Sequence, residues 1–298
     1  MKRALVTGGT GYLGKHLIPK LQDLEIDCCI SNSEYGNLLE YSNLYRYNHL
    51  KFDYILHLAA WAKAGDFCLH HSADQYFFNE LMNYNILKYW QEYQAQAKFI
   101  GIGTSCAYDP RLEMIEENYL QGEPDPDLLS YAMTKRMMLV GLMSIAKQYG
   151  LKYVYLIPST IYGPNFSEND NHFIYDLIRK IKHSKETNEK AILWGTGNQT
   201  RDLIYVDDLV DTIIKSLNPE FENEVFNVSS GISFSIKEYA SLICNILDID
   251  LDKFVEFDKN AYSGVPDKCL NVSKALNLLL MSIFKNPLGT NFFKLVKE

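Results

Sequence analysis

The stretch TGGTGYLG, Thr7–Gly14, sets the tightest limit on what this chain can fold into. It follows the apolar run Arg3–Thr7, predicted as a buried strand, and opens the amphipathic segment Tyr12–Leu24, predicted as a helix. Gly8, Gly11 and Gly14 recur every third residue. Glycines let the backbone approach a pyrophosphate, and the helix start offers free N–H groups at the positive end of its dipole. Glycines alone would read as a tight turn. Strand, turn and helix in this order read as a dinucleotide-binding unit.

The rest of the first half repeats the alternation. Strands are predicted at Cys28–Ile30, Tyr54–Leu58, Phe99–Ile102 and Tyr153–Ile157, with helices at Ala73–Gln94 and Tyr131–Tyr149. Such alternation builds βαβ units and a parallel sheet. After Pro158 the pattern loosens through Asn171, then gives a helix Phe173–Lys182, a strand Ala191–Trp194 and the turn GTGNQTRD. The predicted fold class is α/β: a Rossmann-type, doubly wound parallel sheet with a smaller mixed α/β substrate lobe. Residues 1–162 and 204–232 are assigned to the first unit, and 163–203 and 233–298 to the second.

Apolar residues make up 47% of the 298, enough to fill a large core. The net charge of −8 argues against general nucleic-acid binding, which needs clustered Lys and Arg. A few local cations still suffice for a small anionic ligand. No 18-residue apolar run is present, so no membrane span is expected. The start MKRALVTGG has no signal-peptide pattern, and the six cysteines form no CxxC pair; both fit a reduced cytoplasmic protein.

The residue expected at the adenosine ribose lies about 20 positions beyond the glycine turn, at the end of the second strand, which is Asn32. An Asp there would repel a 2′-phosphate and a nearby cation would attract it. Asn32 does neither strongly, and no Lys or Arg lies between Lys20 and Arg46, so the cofactor reading is NAD(H) over NADP(H). Tyr131 and Lys135 stand at i and i+4, on one face of the predicted helix. An ammonium beside a phenol favours the phenolate, and such a tyrosine can exchange a proton with a sugar hydroxyl as hydride moves. Thr104 lies at the carboxyl end of the Phe99–Ile102 strand, where ligands bind in such sheets.

TGGTGYLG, HLAA (His57–Ala60), Asn79 in FFNELMN, GTSCAYD, YAMTK, PSTIYGP (Pro158–Pro164) and WGTGNQTRDLIYVDD (Trp194–Asp208) together resemble the extended short-chain dehydrogenases/reductases of the nucleotide-sugar epimerase/dehydratase group, over nearly the whole chain. The resemblance implies a catalytic trio of Thr104, Tyr131 and Lys135, with Lys135 also holding the nicotinamide ribose. It implies a cofactor lining of Gly8, Gly11, Tyr12, Leu13, Gly14, Asn32, Leu58, Ala59, Ala60, Asn79 and Pro158. Within the group the chain is most similar to the GDP-L-fucose synthase-like branch. That likeness implies that Cys106 and His172 serve as acid and base at carbons flanking a C4 ketone. It also implies that Ser105 and Trp194 lie beside the sugar, and that Arg201, Lys268 and Lys180 meet the pyrophosphate. In the family, the helices matching Ala73–Gln94 and Tyr131–Tyr149 form the four-helix bundle of a dimer, so a homodimer or higher homo-oligomer is implied.

The departures are informative. The branch carries a basic residue where Thr10 stands and uses NADPH. The segment Asn32–Asp53 is short for a helix and a strand, and Trp61–Tyr76 differs from the branch's substrate loop. Asp66, Cys68, His70 and His71 look metal-like on paper, but they fall in that loop, and no metal is expected. The expectation is an NAD-dependent oxidoreductase at C4 of a GDP-mannose-type sugar, such as a GDP-heptose for a bacterial capsule or surface polysaccharide. The alternatives are a C3/C5 or C4 epimerase using Cys106 and His172, and a non-enzymatic NAD-binding module.

Overall fold

The structure is a computed structural model that describes residues 1–34, 37–62, 67–166, 172–261, 264–278 and 288–297. Its elements in chain order are β1 (Arg3–Thr7), α1 (Tyr12–Asp23), β2 (Asp27–Ser31), β3 (Tyr54–His57), α2 (Phe67–His70), α3 (Ser72–Tyr93), β4 (Lys98–Ile102), α4 (Leu129–Tyr149), β5 (Tyr153–Pro158) and β6 (Thr160–Tyr162). There follow α5 (Phe173–Thr187), β7 (Ala191–Trp194), β8 (Thr200–Tyr205), α6 (Val206–Ser216), β9 (Glu224–Val228), β10 (Ser233–Ser235), α7 (Ile236–Leu247), α8 (Leu251–Phe254), β11 (Val255–Asp258), α9 (Ser273–Asn277) and α10 (Thr290–Lys297).

Six parallel strands form the main sheet in the order β2-β1-β3-β4-β5-β9. They read as unbroken apolar runs because helices cover both faces. Leu17 and Leu21 of α1 and Leu209, Val210 and Ile213 of α6 pack on one face with Val6, Leu56 and Ile100. Ile86 and Trp90 of α3 and Leu139 and Leu142 of α4 pack on the other with Leu5, Ile55 and Phe99. This is the expected doubly wound sheet. Its order reverses beside β1, so the crevice for a ligand opens at the carboxyl ends of β1 and β3.

A third core joins α5, α7, α10, β7 and β11 through Ile178, Leu193, Tyr239, Ile243, Val255 and Phe292. Beside this core lie a mixed three-stranded sheet, β10-β8-β6, whose strands β6 and β8 include residues assigned above to the first unit, and the parallel pair β11-β7. Among the described residues of the short segment Asn32–Asp53, a 3-10 helix over Tyr41–Tyr47 buries Leu44 and Tyr47 and takes the place of a full crossover helix before β3. No helix among the described residues is long and apolar enough to cross a membrane.

Candidate active site

The glycine turn has the close contacts that exclude side chains. Gly8 has φ +67°, and a Cβ on it would meet Ala59 N at 2.7 Å. A Cβ on Gly14 would lie 2.4 Å from Gly9 O, because α1 packs down onto the turn. Gly11 caps α1 with no side-chain bond, and the first turn holds no acidic residue, so its N–H groups are open to an anion. The chemistry of this cradle fits a dinucleotide pyrophosphate. Leu13 packs into the core beside α6. The Tyr12 ring meets Phe166 of the loop before α5 at 3.9 Å, tilted by 51°, so this side chain ties the glycine turn to that loop. Asn32 follows β2 directly, and Gly8 N donates to Ser31 O at 3.0 Å, which sets Asn32 at the rim of the turn.

A buried polar chain ties the turn to α3 and α4. Ala59 N donates to Thr7 Oγ1 (3.3 Å), and Thr7 Oγ1 lies 2.7 Å from His57 Nδ1. His57 Nε2 meets Asn83 Oδ1 at 3.1 Å, while Asn83 Nδ2 donates to Thr134 O at 3.3 Å. Because Asn83 offers its oxygen, the proton of the imidazole sits on Nε2, and Nδ1 accepts from Thr7. Burial and the Lys135 charge push His57 down to about 3, so it stays neutral. Asn79 is buried with both amide hydrogens bound, to Trp61 O and Gln75 O, and its oxygen takes Trp61 N. It therefore pins the loop after Ala60 and keeps no donor for a cofactor. Ala60 itself is exposed and Pro158 is buried at the end of β5.

Five of the expected residues gather after β4. Thr104 Oγ1 accepts from Cys106 N at 3.3 Å, capping a 3-10 turn Ser105–Ala107 in which Ser105 is buried. On α4, the Lys135 ammonium lies 5.9 Å from the centre of the Tyr131 ring and donates to Ile102 O at 2.8 Å. Burial pushes Lys135 down to about 8. Tyr131 departs from the expectation of a lowered phenol. Burial raises it, with charge on Cys106 and Tyr119 adding to this and a Thr104 hydrogen bond opposing it. Desolvation wins, and Tyr131 stands as a phenol, ready to donate.

Two neighbours were not expected at this site, Tyr119 without any signal in the sequence and Cys68 read only as part of a metal-like set. Thr104 N donates to Tyr119 Oη at 3.4 Å, and Tyr119 is fully buried under Gly103. Cys68, on the divergent loop, is buried within electrostatic reach of both Cys106 and Tyr131. Of its companions on paper, His71 stacks on Phe67 at 4.4 Å, His70 is exposed and Asp66 lies outside the described residues. Among the described residues no three His, Cys, Asp or Glu side chains gather as a metal would need.

The second lobe contributes cations. Lys268 Nζ donates to Cys106 Sγ at 3.2 Å, and the Arg201 charge also reaches that thiol. Arg201 donates to Thr200 O and Val265 O. Lys180 lies 5.3 Å from the centre of the exposed Trp194 ring and pairs with Asp176 at 2.8 Å. His172 caps α5, its ring edge-on to Phe166 at 5.6 Å. The structure thus brings Thr104, Cys106, Tyr131, Lys135 and Lys268 together, couples Arg201 to them, and sets Lys180 with Trp194 on the second lobe.

Residues 4–229 match the model of the NAD dependent epimerase/dehydratase family. The chain is 26% identical over 284 residues to a GDP-L-fucose synthase of Sinorhizobium fredii, covering 93% of this chain and 89% of that protein. It is 26% identical to a GDP-L-colitose synthase of Yersinia pseudotuberculosis, covering 90% of this chain and 89% of the other. Its fold is similar to that of a GDP-mannoheptose C4 reductase from Campylobacter jejuni with NADP bound, at a TM-score of 0.85 and 19% identity over 100% of this chain and 98% of that one.

Proposed function

The chain belongs to the NAD dependent epimerase/dehydratase family, and on that premise we propose that it is an oxidoreductase acting at C4 of a GDP-linked, mannose-type sugar, with a GDP-heptose as a candidate. The observation that carries this reading is the convergence of Thr104, Tyr131 and Lys135 at the carboxyl end of β4, beside a glycine cradle shaped for a dinucleotide. NAD(H), when bound, supplies or accepts the hydride. Tyr131, protonated as it stands, donates to the C4 oxygen when a ketone is reduced, and Thr104 holds that oxygen. Lys135 orients the ribose. The GDP-sugar names of the two relatives support the substrate class. Arg201, Lys268, Lys180 and Trp194 on residues 163–203 and 233–298 bind the nucleotide-sugar. The purified protein given NADH and a GDP-4-keto sugar should oxidise NADH and yield the 4-hydroxy product. No oxidation with any GDP-4-keto-hexose or heptose, but oxidation with a UDP-linked one, would overturn the substrate class.

A second reading, epimerisation at C3 or C5, is favoured by the Cys106–Lys268 contact, since an ammonium at 3.2 Å favours a thiolate that can act as a base.

NAD(H) should bind more tightly than NADP(H), by about tenfold or more, since no cation near Asn32 in the sequence offsets a 2′-phosphate. Titration by tryptophan quenching checks this; tighter NADPH would reverse it. Asn32→Asp should widen the gap.

The homodimer reading rests on the outer faces of α3 and α4. α3 buries Gln75, Asn79 and Asn83 and turns Phe77 (62% exposed), Leu81 and Tyr84 outward, beside Met137, Val140 and Met143 of α4. An apolar stripe on the solvent side of two neighbouring helices, outside the core that their inner sides fill, calls for a partner. Leu81→Glu with Met137→Glu should weaken self-association on the order of 100-fold, read by light scattering. A wild-type protein that is monomeric at micromolar concentration would refute this dimer.

A further inference from the structure

The Cys106–Lys268 contact joins residues 162 positions apart in the chain. Lys268 is held there by a hydrogen-bonded strip of backbone. Lys268 N donates to Thr200 O at 3.2 Å, and Asp202 N donates to Lys268 O at 3.1 Å, so residues around 268 run alongside β8. The buried carboxylate of Asp202 clamps the same strip, taking Leu270 N at 2.9 Å and Ser229 Oγ at 2.6 Å on Oδ2. Its Oδ1 is buried without a hydrogen bond, and burial raises its pKa against the pull of these bonds and of the Lys268 charge. The segment around 268 therefore delivers one ammonium to the thiol of the turn after β4, with its backbone held at Lys268 and Leu270.

We propose that Lys268 is a positioning residue that holds Cys106 as a thiolate, S⁻ paired with NH₃⁺, the thiol proton being released to solvent. This rests on Cys106 being a site residue under the reading above and deepens the epimerase branch of it, because a thiolate beside Tyr131 and Thr104 is a poised base. The groups that face the sulfur are Lys268 and Arg201 from the second lobe, the Thr104 hydroxyl on its own turn, the Tyr119 and Tyr131 phenols and the Cys68 thiol. Only the two cations are charged at neutral pH, and both favour the anion. Burial pushes the thiol up, yet Lys268, Thr104 and Arg201 together bring it below its ordinary value. Arg201 donates from Nη1 to two carbonyls and acts on the thiol through its charge, whereas Lys268 Nζ donates to the sulfur directly.

The test is the pH dependence of iodoacetamide labelling at Cys106, read peptide by peptide by mass spectrometry so that the other five cysteines do not interfere. It needs no turnover, so it fails or succeeds independently of the proposed reaction. The wild-type midpoint should lie below that of an ordinary thiol, about 8.5. Lys268→Met should raise it by about 1–3 pH units, Lys268→Arg should keep it low, and Arg201→Met should move it less than Lys268→Met does. A wild-type midpoint at or above the ordinary thiol overturns the proposal even if no Lys268 variant folds. Coincident profiles for wild type and Lys268→Met, or a larger shift from Arg201→Met, overturn it as well.

Discussion

Tyr131→Phe is expected to lower turnover by about 10²–10⁴-fold, the usual contribution of a positioned proton donor, while NAD(H) affinity and fold remain. Only the phenol oxygen is lost. The ring stays packed, and Lys135 keeps its bond to Ile102 O. The hydride still has a place to go, but the C4 oxygen has no proton donor, because Thr104 is a poor acid and is already the cap of its own turn. Thr104→Val should give a smaller loss. The check is the rate of NADH oxidation at saturating GDP-sugar, with cofactor binding measured separately. Activity in Tyr131→Phe near that of the wild type would sink the proposed proton transfer.

Solvent-hydrogen exchange at the sugar should show the second large effect. A C4 ketone acidifies the C–H bonds at C3 and C5. If Cys106 and His172 act there, product formed in D₂O carries deuterium at those carbons, and Cys106→Ser or His172→Asn reduces labelling by about 10²-fold or more. If only hydride moves at C4, labelling at C3 and C5 stays at the uncatalysed level, and the same variants chiefly raise KM. Hydride transfer without obligatory epimerisation is the expected outcome, because Thr10, Asn32 and the loop Trp61–Tyr76 depart from the fucose-synthase pattern. Rapid Cys106-dependent labelling would overturn it in favour of the epimerase. The thiolate proposal survives either result: a thiolate is necessary for that exchange and not sufficient, since a substrate carbon must also lie in reach.

Local signals were enough for the first βα unit. β1 occupies Arg3–Thr7 as the apolar run predicts, and α1 starts at Tyr12, where Gly8 and Gly14 let the backbone pass close to Ala59 and Gly9 without a clashing side chain. Tyr131 and Lys135 share a helix for the same reason: a spacing of four residues sets a face wherever the helix packs. β7 likewise occupies Ala191–Trp194 as read. In each case the information lies within a few residues of where it acts. The ionisation of Tyr131 was not legible in that way, because it depends on how deeply α4 is buried against β4. Nor was the role of Asn79, which looks like a cofactor contact in a motif and becomes a loop clamp once Trp61 folds back on it. Tyr119, Cys68 and the pairing of Lys268 with Cys106 carry no periodicity at all. Residue types and spacings determined by themselves the strand–turn–helix cradle, the parallel sheet and the Tyr–Lys face. Only the tertiary structure decided which charges meet, because desolvation and Coulomb energy depend on distances in space, and a contact across 162 residues leaves no mark on either neighbourhood.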